Sequence, residues 1–179
     1  MSARLETEFA FCTCQPGIES ALKAEVAARI PSWKFAFSRP GFVTFKLPMP
    51  MAPQRFEPMR LTFARTIGLS YGRVEADEAT PGPLAEKLWA HEATKALASP
   101  GTVALHVWSR DQDIPGENGI EPGRSEASLA ALEAIRDAAP ENALASDAAD
   151  ASRLALDVAL VEPNQWWIGA HVLRSRTDR

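Results

Sequence analysis

From Phe9 to Cys14 the chain alternates, with Phe9, Phe11 and Thr13 on one side and Ala10, Cys12 and Cys14 on the other, the period of a half-buried strand. Pro16-Gly17 stops that strand and opens a helix in which Ile18, Ala21, Leu22, Val26 and Ile30 recur at helical spacing. Glu19 sits at the positive N-terminal end of this helix and Arg29 in its last turn, and Pro31 ends it. Trp33, Phe35 and Phe37 then point to one side of a second strand. Val43, Phe45 and Leu47 do the same in a third, across the Arg39-Pro40-Gly41 turn. The pattern predicts a βαββ unit, half of a split βαβ module.

The run from Pro48 to Pro58 holds four prolines, which cannot donate to a strand ladder, so it predicts an extended connector and a boundary between units 1–58 and 59–179. Beyond it, Leu61, Ala64, Ile67 and Tyr71 fall on a helical stripe over Met59 to Tyr71, with Gly72 as a stop. A second helix is expected from Pro83, burying Leu84, Leu88, Trp89 and Leu97. The run TVALHVWS reads as a strand, and RDQDIPGENGIEPGR as a long polar loop. Ser125 caps a further helix whose Leu129, Leu132, Ile135 and Ala139 are expected to face inward until Pro140 ends it. Asn142 to Ser152 reads as a short helix or a loop. Two final strands, RLALDVALV and QWWIGAHVL, form a hairpin about Glu162-Pro163-Asn164, with Leu156 and Val158 buried. The fold class is therefore α/β of the α+β type: a ferredoxin-like βαββ unit followed by an ααβαββ unit.

With 179 residues, 46% of them hydrophobic, the chain can bury one large core or two small ones. No apolar run is long enough to span a bilayer, and the acidic N-terminus lacks the core of a signal peptide, so a cytoplasmic location is expected. Cys12 and Cys14, two apart on one strand, are poorly placed for a disulfide and suit a reducing compartment.

The net charge is −4, but it is unevenly spread. Residues 33–73 carry Lys34, Arg39, Lys46, Arg55, Arg60, Arg65 and Arg73 against Glu57 alone, whereas residues 74–152 carry fifteen acids and five bases. One face able to accept phosphate explains this, and so does a scatter of solvated charges.

Catalytic chemistry is hard to find. No Gly-x-Gly is present, so the turn that lets a backbone approach a dinucleotide or S-adenosylmethionine is missing. Gly116, Gly119 and Gly123 stand among acids that oppose phosphate. His91, His106 and His171 show neither HxH nor HExxH spacing, and a metal site through them would require Cys12 or Cys14 to join in space. Thiols packed as small hydrophobes are the simpler account, so neither a catalytic residue nor a metal site is assigned. The five tryptophans, among them Trp33, Trp108, Trp166 and Trp167, serve a core or, if exposed beside arginine, stack RNA bases.

The series FAFCTCQPGIESALKAEV, GFVTFKL and MRLTFARTIGLSYGRVE resembles the start of the THUMP-containing RNA methyltransferases, among them the bacterial large-subunit ribosomal RNA enzymes. Gly17-Ile18-Glu19 matches the family's turn after the first strand, Gly41 to Phe45 its returning strand, and Leu61 to Ile67 its Arg-bearing helix. The resemblance implies a ferredoxin-like unit plus a THUMP domain, and an RNA-binding module that positions structured RNA, ribosomal or transfer, for a class I methyltransferase domain outside this sequence. No cofactor is then expected here, S-adenosylmethionine belonging to that domain, and whether the chain is itself an enzyme stays open. RNA contact is expected at Lys34, Arg39, Arg55, Arg65 and Arg73, with Arg174 and Arg176 near the exit, where the ending Arg174 to Arg179 fits a domain cut from a longer protein. A structural, dimerisation or protein-docking module without RNA is the alternative.

Overall fold

The computed structural model describes residues 5–56, 59–98, 103–110, 125–144 and 154–172. In chain order the elements are β1 (Thr7–Thr13), α1 (Glu19–Arg29), β2 (Lys34–Arg39), β3 (Phe42–Met51), a 3-10 turn (Pro53–Arg55), β4 (Thr66–Glu75), α2 (Gly82–Ala90), α3 (Glu92–Ala98), β5 (Ala104–Ser109), α4 (Glu126–Asp137), β6 (Leu154–Glu162) and β7 (Gln165–Val172). All seven strands join one sheet in the order β2-β3-β1-β4-β7-β6-β5. The β5–β6 pair is parallel, and the other five pairs are antiparallel. The α+β class and the βαββ start stand as the sequence predicts. From residue 59 onward the order is βααβαββ: strand β4 stands where the first helix is expected, and the one helix expected from Pro83 is two, α2 and α3.

The helix expected over Met59–Tyr71 is a correction: Thr66–Glu75 is strand β4. Ile67 and Leu69, buried two residues apart, face the core, while Gly68 and Ser70 face the other way against Phe11 and Phe9 of β1. The apolar positions satisfied both periods, and β4 pairing on both edges, with β1 and β7, decided for strand. The prolines needed a smaller revision. Pro48 and Pro50 lie within β3, but in a bulge between the Phe9–Lys46 and Thr7–Met51 pairs and past the end of β2, where no ladder bond is asked of them.

Alternation sorts the sheet into two faces. Ala10, Cys12, Val43, Phe45, Leu47, Ile67 and Leu69 pack with Leu22 and Val26 of α1. Leu156, Val158, Leu160, Trp166, Ile168 and Ala170 pack with Leu84 and Leu88 of α2 and Ala131 and Ile135 of α4. By the strand registers these residues share one face. Phe11, Phe42, Trp108, Ala159 and Val161, with Phe37 and Trp167 beside them, form a third cluster built from strands alone on the other face.

That second face is concave. Three strand steps separate β3 from β7, about 14 Å in a flat sheet, yet the Phe42 and Trp167 ring centroids are 5.2 Å apart. Phe37 of β2 lies 5.0 Å from Trp167, and Phe11 of β1 lies 6.5 Å from Trp108 of β5. Glycine permits the curl at two points. A Cβ on Gly68 would stand 2.5 Å from the Phe11 ring, and one on Gly169 would stand 2.8 Å from it.

Two expected faces shift. A bulge between Phe35 and Phe37 puts Trp33 with the α1 cluster and Phe37 with the concave cluster, rather than on one side. In α4 the inward residues are Ser128, Ala131 and Ile135, and Leu129 is 50% exposed. The Ser125 cap forms as predicted: its side chain accepts from the Ser128 N–H at 3.1 Å and Ser128 Oγ accepts from the Ser125 N–H at 2.9 Å. Leu156 and Val158 are fully buried, and Asn164 makes the hairpin turn at φ 59°. The loop over 111–124, with its glycines, and residues 145–153 lie outside the described residues.

Candidate functional site

A cleft of about 180 Å³ opens at one end of the concave face. Thr13 and Cys14 at the end of β1, Gly41, and Arg65 and Thr66 at the start of β4 form one wall. His106, Trp108 and Ser109 of β5, Arg110 just past its end, and Asp157 of β6 form the other. Backbone bonds brace both sides: the Arg65 N–H donates to the Thr13 carbonyl at 2.8 Å and the Arg110 N–H to the Leu160 carbonyl at 3.0 Å. Arg110 Nε also donates to the Val161 carbonyl at 2.5 Å. Two guanidinium-bearing residues far apart in sequence thus line one depression.

Asp157 anchors the cleft's inner side. It is the lone acid in the β6 run LALDVALVE before the terminal Glu162, and its side chain is only 3% exposed. The parallel register sets His106 beside it, and His171 lies diagonally across on β7, where Asp157 is opposite Gly169. His106 Nδ1 lies 2.8 Å from Oδ1 and His171 Nδ1 2.5 Å from Oδ2, while Trp108 Nε1 donates to Oδ1 at 3.2 Å. Burial alone would raise the Asp157 carboxyl, but the His171 charge and the hydrogen bonds from both imidazoles outweigh it and hold the group ionised well below the usual range. For His171 burial favours the neutral ring, and the Asp157 carboxylate reverses this and raises its pKa.

The basic residues singled out in the sequence do not gather in the cleft, although Arg39 and Arg73 meet at one carboxylate, that of Glu162. Arg39 Nε and Nη2 bond one Glu162 oxygen at 2.8 and 2.6 Å, and Arg73 lies 3.8 Å from the other oxygen. Arg55 is held by Glu6 at 2.6 Å, and Lys34 Nζ donates to the Pro31 carbonyl at 2.9 Å. Arg65 alone of this set lines the cleft, and Arg174 and Arg176 lie outside the described residues. The tryptophans are no open stacking platform, since Trp108 and Trp166 are buried and Trp33 and Trp167 half-buried among other rings. In the sequence, His106 and His171 come into question only with a cysteine as third partner; Asp157 as the residue that joins them, and the place of Arg110 in the cleft, were not found there. The legible signal was a buried acid within an apolar strand, which demands partners.

No family model matches the sequence, and no curated protein matches it. The solved structures that share its fold include three with TM-scores of 0.50 or more. A predicted N6-adenine-specific DNA methylase from Listeria monocytogenes superposes with a TM-score of 0.56 at 15% identity over 91% of this chain and 40% of its own. A possible methylase from Clostridium difficile gives 0.54 at 12% identity over 92% and 41%. TrmN from Thermus thermophilus gives 0.50 at 16% identity over 93% and 46%. The chain therefore spans under half the length of these three structures, and it shares their fold over nearly all of its own length. Among the described residues no helix is long and apolar enough to cross a membrane.

Proposed function

We propose that this chain is an RNA-binding module that holds structured RNA, ribosomal or transfer, for an S-adenosylmethionine-dependent methyltransferase domain outside this sequence. The observation that carries the proposal is the cleft lined by Arg65 and Arg110, together with the fold shared with proteins described as methylases. Guanidinium groups match phosphate geometry, and strand ends fix these two against separate walls. Thr13, Thr66 and Ser109 add hydroxyls for phosphate and ribose. Chemistry on the base is left to the other domain; this module supplies position.

The test is fluorescence anisotropy with a transfer RNA and a ribosomal hairpin across a salt series. Binding should weaken linearly in log[salt] as phosphates neutralised by the protein release counterions. Arg65→Gln with Arg110→Gln should weaken it by about tenfold or more and flatten the slope by about 0.7–0.9 for each phosphate no longer neutralised. Arg55→Gln, on an arginine already held by Glu6, should change little. RNA affinity indifferent to salt and to the double substitution, in a folded protein, overturns the proposal.

A second reading, docking onto another protein, draws on edge strand β2, where Phe35 is 55% exposed. Lys23 Nζ stands 4.9 Å above that ring, a charged cover that disfavours open-edge pairing. Light scattering that finds a dimer, abolished by Phe35→Lys, would favour that reading.

A further inference from the structure

We infer that His106, Asp157 and His171 form a binding site for one divalent transition-metal ion of the zinc class, open toward the cleft that Arg65 and Arg110 line. One donor atom from each of the three side chains lies within 4.8 Å of the other two, and among the described residues no other group of three histidine, cysteine or carboxylate side chains meets in this way.

The positions are fixed by the sheet rather than by loops. His106 and Asp157 are register partners on β5 and β6, and His171 follows from β7, so the three project from adjacent strands onto one face. The imidazole centroids are 5.6 Å apart and set edge to face, which lets both rings aim at a common point. Tetrahedral zinc with bonds of about 2.0–2.1 Å places its donors about 3.3–3.4 Å apart. The nitrogen–oxygen separations of 2.8 and 2.5 Å therefore need to open by less than about 1 Å, within reach of side-chain rotation.

Three further features favour a cation over a plain hydrogen-bonded strut. The carboxylate is buried between the two imidazoles, so a cation held by all three side chains would take the place of the counter-charge that a protonated imidazole otherwise supplies. Trp108 Nε1 holds Asp157 from outside the trio, the supporting bond that metal carboxylates ordinarily have. Exposure is graded: Asp157 at 3% and His171 at 12% are enclosed, while His106 at 53% stands at the mouth. That gradient gives an ion a route in and leaves a coordination position facing the cleft. Two imidazoles among three ligands select zinc, cobalt, nickel or copper over magnesium or calcium. Bound there, the ion adds positive charge beside Arg65 and Arg110. The metal site does not depend on RNA binding, and its test uses no RNA.

The experiment is titration of the full chain, purified without a histidine tag, with Co2+ and then Zn2+. Saturable one-to-one binding should give visible ligand-field absorption that Zn2+ abolishes, and Zn2+ but not Mg2+ should raise the thermal midpoint by several degrees. His106→Ala, at the exposed member, and His171→Gln should each weaken Co2+ binding about tenfold or more. Cys14→Ser, a cysteine lining the same cleft, should leave it unchanged. Absence of saturable binding to the wild type, a cobalt–thiolate charge-transfer band, or full binding by a folded His106→Ala protein overturns the site and leaves the trio a strut between strands.

Discussion

Arg39 donates from both Nε and Nη2 to a single Glu162 oxygen, at 2.8 and 2.6 Å, and so ties edge strand β2 to the β6–β7 turn across the mouth of the curved sheet. Arg39 also lies 4.5 Å over the Phe37 ring, and Arg73 approaches the second Glu162 oxygen. The hairpin pattern alone leaves Glu162 exposed in the turn, and it is half-buried instead. Both partners keep water contact, so the clasp should contribute about 1 kcal/mol rather than the several of a buried pair. Urea unfolding of Arg39→Gln, Glu162→Gln and the double variant should give a coupling energy of about 0.5–1 kcal/mol. Additive losses would mean that the pair does not brace the curl.

The curl depends more heavily on Gly68. A methyl there meets the Phe11 ring at 2.5 Å and, on the backbone side, the Ala170 carbonyl at 2.6 Å. The ring can rotate, but the carbonyl is fixed by the β4–β7 ladder. Gly68→Ala should therefore cost about 1–3 kcal/mol, seen as a lowered urea midpoint. Phe11→Leu in the same chain should recover only part of it, and full recovery would assign the clash to the ring alone.

The part of the fold legible in the sequence is the part whose signals were local. The Pro16-Gly17 stop, the Ser125 cap and the Asn164 hairpin each rest on residues a few positions apart, and each appears as predicted. Even the Gly17-Ile18-Glu19 turn has a local cause, since the Glu19 carboxylate accepts from the Gly17 N–H at 3.0 Å and from the Gly41 N–H at 2.7 Å. β4 was not legible, because Leu61, Ala64, Ile67 and Tyr71 fit a helix as well, and only pairing with β1 and β7 decides. The cleft was hidden for the same reason. Arg65 and Arg110 come to line one cleft through the curl of the sheet, and His106 and His171 meet through two strand registers centred on Asp157. Charge counting along residues 33–73 found Arg65 but also gathered Arg39, Arg55 and Arg73, which the structure pairs with Glu162 and Glu6.

The inward face of α4 offers a clean discrimination. Ala131 is fully buried against β6 and β7 residues, whereas Leu129 is half exposed, the reverse of what leucine spacing alone suggests. Leu129→Glu should shift stability by no more than about 0.5 kcal/mol. Ala131→Glu should prevent folding or cost several kcal/mol, because it buries an unpaired charge. Circular dichroism melts of the two variants separate the alternatives, and a large loss from Leu129→Glu would restore the leucine face.

Acid sensitivity should come in part from Glu25. Its Oε1 accepts from the Thr62 N–H at 2.7 Å and from Arg29 at 3.0 Å, and its Oε2 accepts from the Phe63 N–H at 3.1 Å. Desolvation would raise this carboxyl, but the two backbone donors, then the Thr62 hydroxyl and Arg29, outweigh it and bring it down to about 2. The unfolded value is about 4.3, so the folded pKa is depressed. The contribution is complete above the unfolded value and is lost as pH falls from there toward 2. After allowance for solvent screening it is on the order of 1 kcal/mol. Glu25→Gln should thus lower stability at neutral pH by about that amount and converge with the wild type near the acid end. Because Glu25 pins residues 62 and 63 to α1, the variant should also loosen the approach to Arg65 and weaken RNA binding about twofold to threefold, well short of losing Arg65 itself. Urea titrations at neutral and acidic pH decide the matter: a stability gap that stays constant across the range would show that Glu25 acts through packing and not through its charge.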